Sequence, residues 1–311
     1  MKLLVTGGLG FIGSNFILHM LKKYPNYKIT NIDAELTGSN KKNLENVKKY
    51  KNYQFVKGNI NNSQLMDKLV KNNDNIINFA AESHVDRSIS GPKPFLDTNV
   101  MGLQILLESI RKFDKKLIQI STDEVFGSLK KGSAKEEDSF NPASPYAASK
   151  AAAEMLAKSY FKTYQCDIIT TRCTNNYGPR QFEEKLIPKV ILLAKQNKKI
   201  PVYGSGKNIR DWIHVEDHCN ALVKVLCNGK KGESYNISGS NELSNLQIIK
   251  KIFKIMKKPN SLIKFVPDRL GHDFRYSLDS TKSKKKIYWI PKITIDTGLE
   301  NTIKWYLDRK W

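Results

Sequence analysis

Apolar and polar positions along this chain follow two periods. Residues 2–6, 28–33, 54–57, 75–79, 117–121 and 167–173 are short apolar runs bounded by charge, as expected of strands buried on both faces. Helices are predicted from Gly10 to about Lys23, over 95–113 and over 146–164. In the second, Val100, Leu103, Leu106, Leu107 and Ile110 share one helical face. Strands alternating with helices describe an α/β chain with a doubly wound parallel sheet. Beyond residue 178 the pattern shortens and Pro188, Pro201 and Pro267 punctuate it, as expected of a smaller α/β lobe over the sheet's carboxyl edge. The expected division is 1–178 for the sheet domain, with 209–238 returning to it, and 179–208 with 239–311 for the lobe. No internal repeat and no low-complexity tail is present.

Composition narrows this picture. A chain of 311 residues can bury a large core. The net charge of +22 raises nucleic-acid binding as a candidate. The surplus, however, is lysine spread over the whole chain, and only eight arginines occur. Without a basic stripe interleaved with aromatics, a general attraction for anionic substrates is the better reading. The four cysteines form no CxxC pair and no disulfide spacing, which predicts reduced thiols in the cytoplasm. The opening Met1-Lys2-Leu3-Leu4-Val5 reads as a strand, not a signal peptide, and no apolar run reaches the roughly 18 residues of a spanning helix.

Three stretches carry chemistry. Gly8, Gly10 and Gly13 fit GxGxxG between a strand and a helix, where backbone N–H groups meet a pyrophosphate. Asp33 closes the next strand about 20 residues later, where an acid binds a ribose 2′-hydroxyl and selects NAD over NADP. The fold class is therefore a Rossmann-type sheet. The second stretch, Ser121 to Gly127, puts the Thr122 hydroxyl and the Asp123 and Glu124 carboxyls where a strand ends, the edge at which ligands bind. Two adjacent acids can act as proton donor and acceptor if their surroundings separate their pKa values. The third is Tyr146 with Lys150, one turn apart on a helix, where an ammonium would favour phenolate. Each has a plainer reading: a solvated acidic turn for 123–124, a surface pair for 146 and 150. His214 and His218, beside Asp217 and Cys219, have helical metal-ligand spacing, but a domain junction explains them better and no metal is expected. His19 and Cys173 read as packing, and His84, Asp86 and Arg87 as positioning groups.

The segments TGGLGFIGS, NFAAESHVDRSI, STDEVFG, SPYAASK, TRCTNNYGPRQFEEKLIP, PVYGSGKNIRDWIHVEDH and RLGHDFRYSLD occur in order. Together they resemble the nucleotide-sugar 4,6-dehydratases, extended short-chain dehydrogenase/reductases whose best-known members act on dTDP-glucose. The resemblance implies conversion of an NDP-glucose to the 4-keto-6-deoxy sugar nucleotide plus water, in deoxysugar synthesis of the rhamnose type. It implies that Tyr146, helped by Lys150 and Thr122, takes the 4-hydroxyl proton while hydride passes from C4 to NAD. Glu124 then removes the C5 proton, Asp123 protonates the departing 6-hydroxyl, and hydride returns to C6. Cofactor contacts implied are Gly7, Gly10, Phe11, Ile12 and Gly13, then Asp33, Asn59 and Ile60, then Phe79, Ala80, Ala81, Thr98 and Asn176, with Tyr146 and Lys150. Substrate contacts implied are Ser83, Thr122, Asn175, Lys185 and Leu186, and from the lobe Pro201, Val202, Tyr203, Arg210, Asn245, Arg269 and His272. A homodimer through a four-helix bundle of helices 95–113 and 146–164 is implied as well.

Some positions depart from the family pattern. Asn59 stands for the usual Asp, Ala34-Glu35 for Lys-Leu, Arg180 for an aromatic, and the loop between Gly127 and Tyr146 is short. The nucleotide, dTDP or UDP, stays open. An epimerase or decarboxylase of the same fold is the alternative, and the Asp123-Glu124 pair argues against it. A non-catalytic NAD-binding or nucleic-acid-binding module would be expected to have lost part of the catalytic set, which is complete.

Overall fold

The computed structural model describes residues 1–308. Its first half alternates strand and helix: β1 (Lys2–Thr6), α1 (Phe11–Lys23), β2 (Lys28–Asp33), β3 (Tyr53–Lys57), α2 (Ser63–Lys71), β4 (Asn75–Asn78), α3 (Val85–Ser90) and α4 (Lys93–Leu96). Then come α5 (Leu103–Phe113), β5 (Lys116–Thr122), α6 (Pro145–Tyr164), β6 (Ile168–Cys173) and β7 (Asn175–Tyr177). The second half holds α7 (Leu186–Lys195), β8 (Ile200–Tyr203), β9 (Ile209–His214), α8 (Val215–Asn228), β10 (Ser234–Ile237), β11 (Glu242–Ser244) and α9 (Asn245–Met256). It closes with β12 (Ile263–Val266), α10 (Thr281–Lys286) and α11 (Ile295–Asp308).

Seven strands form one parallel sheet in the order β10-β6-β5-β4-β1-β2-β3. Alternation along each strand divides the core. Leu3, Val5, Ile29, Ile77, Ile118 and Ile169 face α1 and α8, where Phe16, Ile17, Leu222 and Val225 cover them. Leu4, Ile32, Ile76, Leu117 and Ile168 face α2, α5 and α6, meeting Met66, Leu106, Leu107 and Ala157. The small Ala153 and Ala157 let α6 lie close to the sheet, and both are fully buried. No helix among the described residues is long and apolar enough to cross a membrane.

The lobe is built on β11-β9-β7 and β12-β8, with α7, α9 and α11 around Tyr177, Val190, Trp212, Ile248 and Leu299. β9 thus joins the small sheet, while β10 returns to the large one. The predicted helix over 95–113 is interrupted. Residues Asp97–Gly102 form a π turn between α4 and α5. Asn99 inside it accepts from Glu82 N at 2.9 Å and donates to Ser149 Oγ at 2.8 Å, so the turn ties the loop after β4 to α6. Such bulges arise where tertiary contacts outweigh a regular ladder.

Candidate active site

The carboxyl ends of β1, β2, β4, β5 and β6 open on one pocket. At its cofactor end, Gly7 has φ +68° and a Cβ there would lie 2.7 Å from Ala80 N. A Cβ on Gly13 would lie 2.5 Å from Gly7 O. Only glycine fits this turn, which brings bare backbone to the start of α1. The N-cap Gly10 supplies no side-chain acceptor, so the first N–H groups of α1 stay available to an anion. Asp33 is buried, accepts from Leu9 N at 2.9 Å, Glu35 N at 2.8 Å and Ser39 Oγ at 2.7 Å, and lines the pocket. Asn59, Ile60, Phe79, Ala80, Ala81 and Thr98 line it too. A glycine cradle, an open helix N-terminus and a buried acid at the second strand end fit a dinucleotide.

Deeper in the same pocket are Thr122, Asp123, Glu124, Tyr146 and Lys150. β5 carries Thr122 to the sheet edge, and a single turn of 3-10 helix, Asp123–Phe126, aims the two acids. Thr122 Oγ1 donates to Asp123 Oδ1 at 3.1 Å and accepts from Glu124 N at 3.3 Å. Asp123 is buried and its Oδ2 has no hydrogen-bond partner. Burial, followed by the Glu124 charge, pushes the Asp123 carboxyl well above the usual range. Burial raises Glu124 as well, and Arg210, Lys185 and Arg269 offset only part of that rise. The pair is therefore split as an acid–base couple needs: Asp123 favours its proton and Glu124 gives its proton up more readily.

α6 starts from Ser144, whose side chain accepts from Ala147 N, with Pro145 in the first turn. One turn on, Tyr146 and Lys150 are both buried. Each is held by its own surroundings. Lys150 Nζ donates to Ile120 O at 2.6 Å, and burial lowers its pKa to about 8. Burial raises the Tyr146 phenol well above its ordinary value, with Glu124 adding to it, and a hydrogen bond to Thr122 acts the other way.

Three cations, Lys185, Arg210 and Arg269, act on Glu124 from the lobe side. Lys185 lines the pocket and donates to Ser83 O at 3.1 Å, with Ser83 and Asn175 also on the wall. Arg210 is buried, donates to Asp273 O at 2.9 Å, and lies 4.3 Å over the Tyr276 ring. Arg269 pairs with Asp86 at 3.3 Å and keeps its Nε buried without a partner. His272 contacts Asp268 at 2.6 Å and meets the Tyr203 ring edge-on.

Leu186, Pro201, Val202, Tyr203, Arg210, Asn245, Arg269 and His272, all expected as substrate contacts, do not line the pocket. Leu186 opens α7 and packs on the lobe core, Val202 is buried within it, Pro201 sits beside Val202 on β8, and Asn245 opens α9. Asn176 lines the pocket, and its Oδ1 lies 2.9 Å from Nδ1 of the fully buried His218. Two residues near the site escape sequence reasoning, Asn99 and Gln181, while Cys173 reads there as packing. Cys173 and Gln181 line the pocket. Burial pushes the Cys173 thiol up to about 12, so it packs and does not react.

Comparison with known proteins agrees with this arrangement. The family profile described as GDP-mannose 4,6 dehydratase matches residues 4–302. A dTDP-glucose 4,6-dehydratase of Streptomyces niveus is 44% identical over 100% of this chain and 94% of its own length. The crystal structure of dTDP-glucose 4,6-dehydratase from Bacillus anthracis in complex with NAD is 46% identical, with TM-score 0.94 over 100% of this chain and 97% of that one. The Streptomyces venezuelae dTDP-glucose 4,6-dehydratase, solved with NAD bound, is 40% identical, with TM-score 0.97 over 100% and 98%. The chain belongs to the nucleotide-sugar 4,6-dehydratase family.

Proposed function

We propose that this protein is an NAD-dependent dTDP-glucose 4,6-dehydratase, forming the 4-keto-6-deoxyglucose nucleotide and water. The observation that carries the reading is the Asp123-Glu124 couple, split in proton affinity, in the same pocket as the glycine cradle and Tyr146. Bound nicotinamide supplies the hydride acceptor and donor, taking hydride from sugar C4 and returning it to C6.

The chain's own groups move the protons. Tyr146, with Thr122 as its partner, receives the proton of the 4-hydroxyl. The C4 ketone acidifies the C5 proton, and Glu124, whose rise from burial is offset in part by Arg210, Lys185 and Arg269, removes it. Asp123, kept protonated by burial, gives its proton to the 6-hydroxyl, which leaves as water. Glu124 returns its proton to C5 as hydride reaches C6. Atoms balance: one water departs and the nicotinamide ends as it began. The cations Lys185, Arg210 and Arg269 suit the pyrophosphate. Glu124 next to Asp123 favours dehydration over epimerisation, because an epimerase has no use for a proton donor at C6.

The assigned site residues that line the pocket keep their roles in this reading, and Arg210 and Arg269 act on Glu124 from beyond the lining. Residues 1–178 with 209–238 act as the cofactor-binding unit, supported by α8 covering the large sheet and β10 joining it. Residues 179–208 and 239–311 form the substrate lobe. The working form is a homodimer packed through α5 and α6, in the cytoplasm, where the four cysteines stay free. Incubation with dTDP-glucose and, separately, UDP-glucose, followed by the alkali-induced ultraviolet absorbance of a 4-keto sugar, tests the reading. Signal with dTDP-glucose is expected. No signal with either nucleotide sugar would end it.

A further inference from the structure

The sequence departure at Ala34-Glu35 has a structural counterpart at the adenosine end of the pocket. β2 ends at Asp33, and Glu35 follows with φ +59°, its N–H given to Asp33 Oδ1 at 2.8 Å. Lys57 is the register partner of Asp33 across the β2–β3 pair. Lys41 comes from the turn just beyond. Both ammonium groups converge on one carboxylate: Lys41 Nζ lies 2.9 Å from Glu35 Oε1 and Lys57 Nζ lies 3.3 Å from Glu35 Oε2. The lysine side chains are 67% and 69% exposed, the glutamate 19%. Hydrogen bonding from Lys41, then Lys57, holds the Glu35 carboxyl below its usual range.

A dinucleotide seated over the first strand and helix puts its adenosine ribose at the end of the second strand. There a 2′-phosphate would face Asp33, while Glu35, Lys41 and Lys57 stand just outside the pocket lining, Lys57 beside Asp33 in register. Cations at this position are what a site accepting NADP requires. Here a second acid occupies them.

We infer that Glu35 is a cofactor-selectivity residue, which holds Lys41 and Lys57 away from a 2′-phosphate and so keeps the site for NAD. This rests on the proposal that the pocket takes NAD. Asp33 disfavours the phosphate directly, by charge and by binding the hydroxyl. Glu35 acts on the lysines. With Glu35 in place the four charges sum to zero, and without it the rim is cationic.

The test is binding, not turnover. Wild type, Glu35→Gln and Glu35→Ala, each freed of co-purified nucleotide, are titrated calorimetrically with NAD and with NADP. Both variants are expected to bind NADP roughly 5–10-fold more tightly, given the strength of two exposed ion pairs, with NAD affinity changed less than about twofold. Adding Lys41→Ala and Lys57→Ala to Glu35→Gln should return NADP to its wild-type affinity. The NADP gain should shrink with added salt. An unchanged ratio of NADP to NAD affinity in both variants would overturn the assignment, as would a gain that survives loss of the two lysines. Wild-type protein that binds neither nucleotide would overturn the cofactor reading and this inference with it, whereas normal NAD binding with an unchanged ratio overturns this inference alone.

Discussion

Thr122 Oγ1 donates to one carboxyl oxygen of Asp123 at 3.1 Å, and the other oxygen is buried with no partner. An unpartnered buried oxygen is costly as an anion and tolerable as a protonated group. The threonine thus fixes the rotamer while burial keeps the proton on the acid. Asp123→Asn keeps the shape but has no proton to release. It should lower keto-sugar formation by about 10²–10⁴-fold. Reduced nicotinamide should still appear on mixing with substrate, read by its near-ultraviolet absorbance. Unimpaired dehydration would remove Asp123 as the acid.

Lys150 gives a pH signature. Its pKa is lowered to about 8 by burial, so its charge is lost as pH rises through about 8. The rate should fall above that pH, and Lys150→Met should be slower and lack that limb. Stability should move the other way. Between about 8 and the ordinary lysine value of 10.5 the unfolded chain binds more protons than the folded one, so stability rises with pH there. Parallel rate and unfolding profiles check both senses.

His218 predicts acid sensitivity. It is fully buried, and burial lowers its pKa from 6.5 to about 3. A depressed folded-state pKa contributes stability above 6.5 that is lost as pH falls towards 3. Between pH 6.5 and pH 4 the loss from this group is on the order of 3 kcal/mol. Denaturant unfolding at stepped pH should show it, and His218→Asn should show a flatter acid limb. An equally steep limb in the variant would place the acid sensitivity elsewhere.

The apolar exposure of two helical segments predicts association. Met101 is 54% exposed in the π turn, and Met155 is 55% and Tyr164 49% exposed on α6. Light scattering should give the mass of two chains, and Met155→Glu should shift it to one. A monomeric wild type at working concentration would rule out the bundle.

Much of this was readable in the sequence, and the reason lies in periodicity. β1 and β2 end where mainly apolar runs meet Gly7 and Asp33, and the one buried amide inside β2, Asn31, is satisfied by Gly8 N and the Tyr53 hydroxyl. The Tyr146–Lys150 spacing needed only the helical repeat. Other features rest on contacts far apart in sequence. Arg172 is buried between the Phe126 and Phe140 rings at 5.0 and 5.1 Å, and its ion pair with Glu154 spans two elements. The π turn depends on Asn99 reaching Glu82 and Ser149. Lys150 turned out to serve the Ile120 carbonyl, a preference that spacing could not reveal. The small sheet of β7, β9 and β11 was hidden because its strands are short and both of its pairings join segments far apart in sequence.

The central claim is that Glu124 removes and then returns the C5 proton while water leaves from C5 and C6. Turnover of dTDP-glucose in heavy water, followed by mass spectrometry and proton NMR of the product, tests it most directly. The predicted product has lost one water and carries solvent deuterium at C5, and Glu124→Gln yields neither change. Product without deuterium at C5, or normal product from Glu124→Gln, would contradict it.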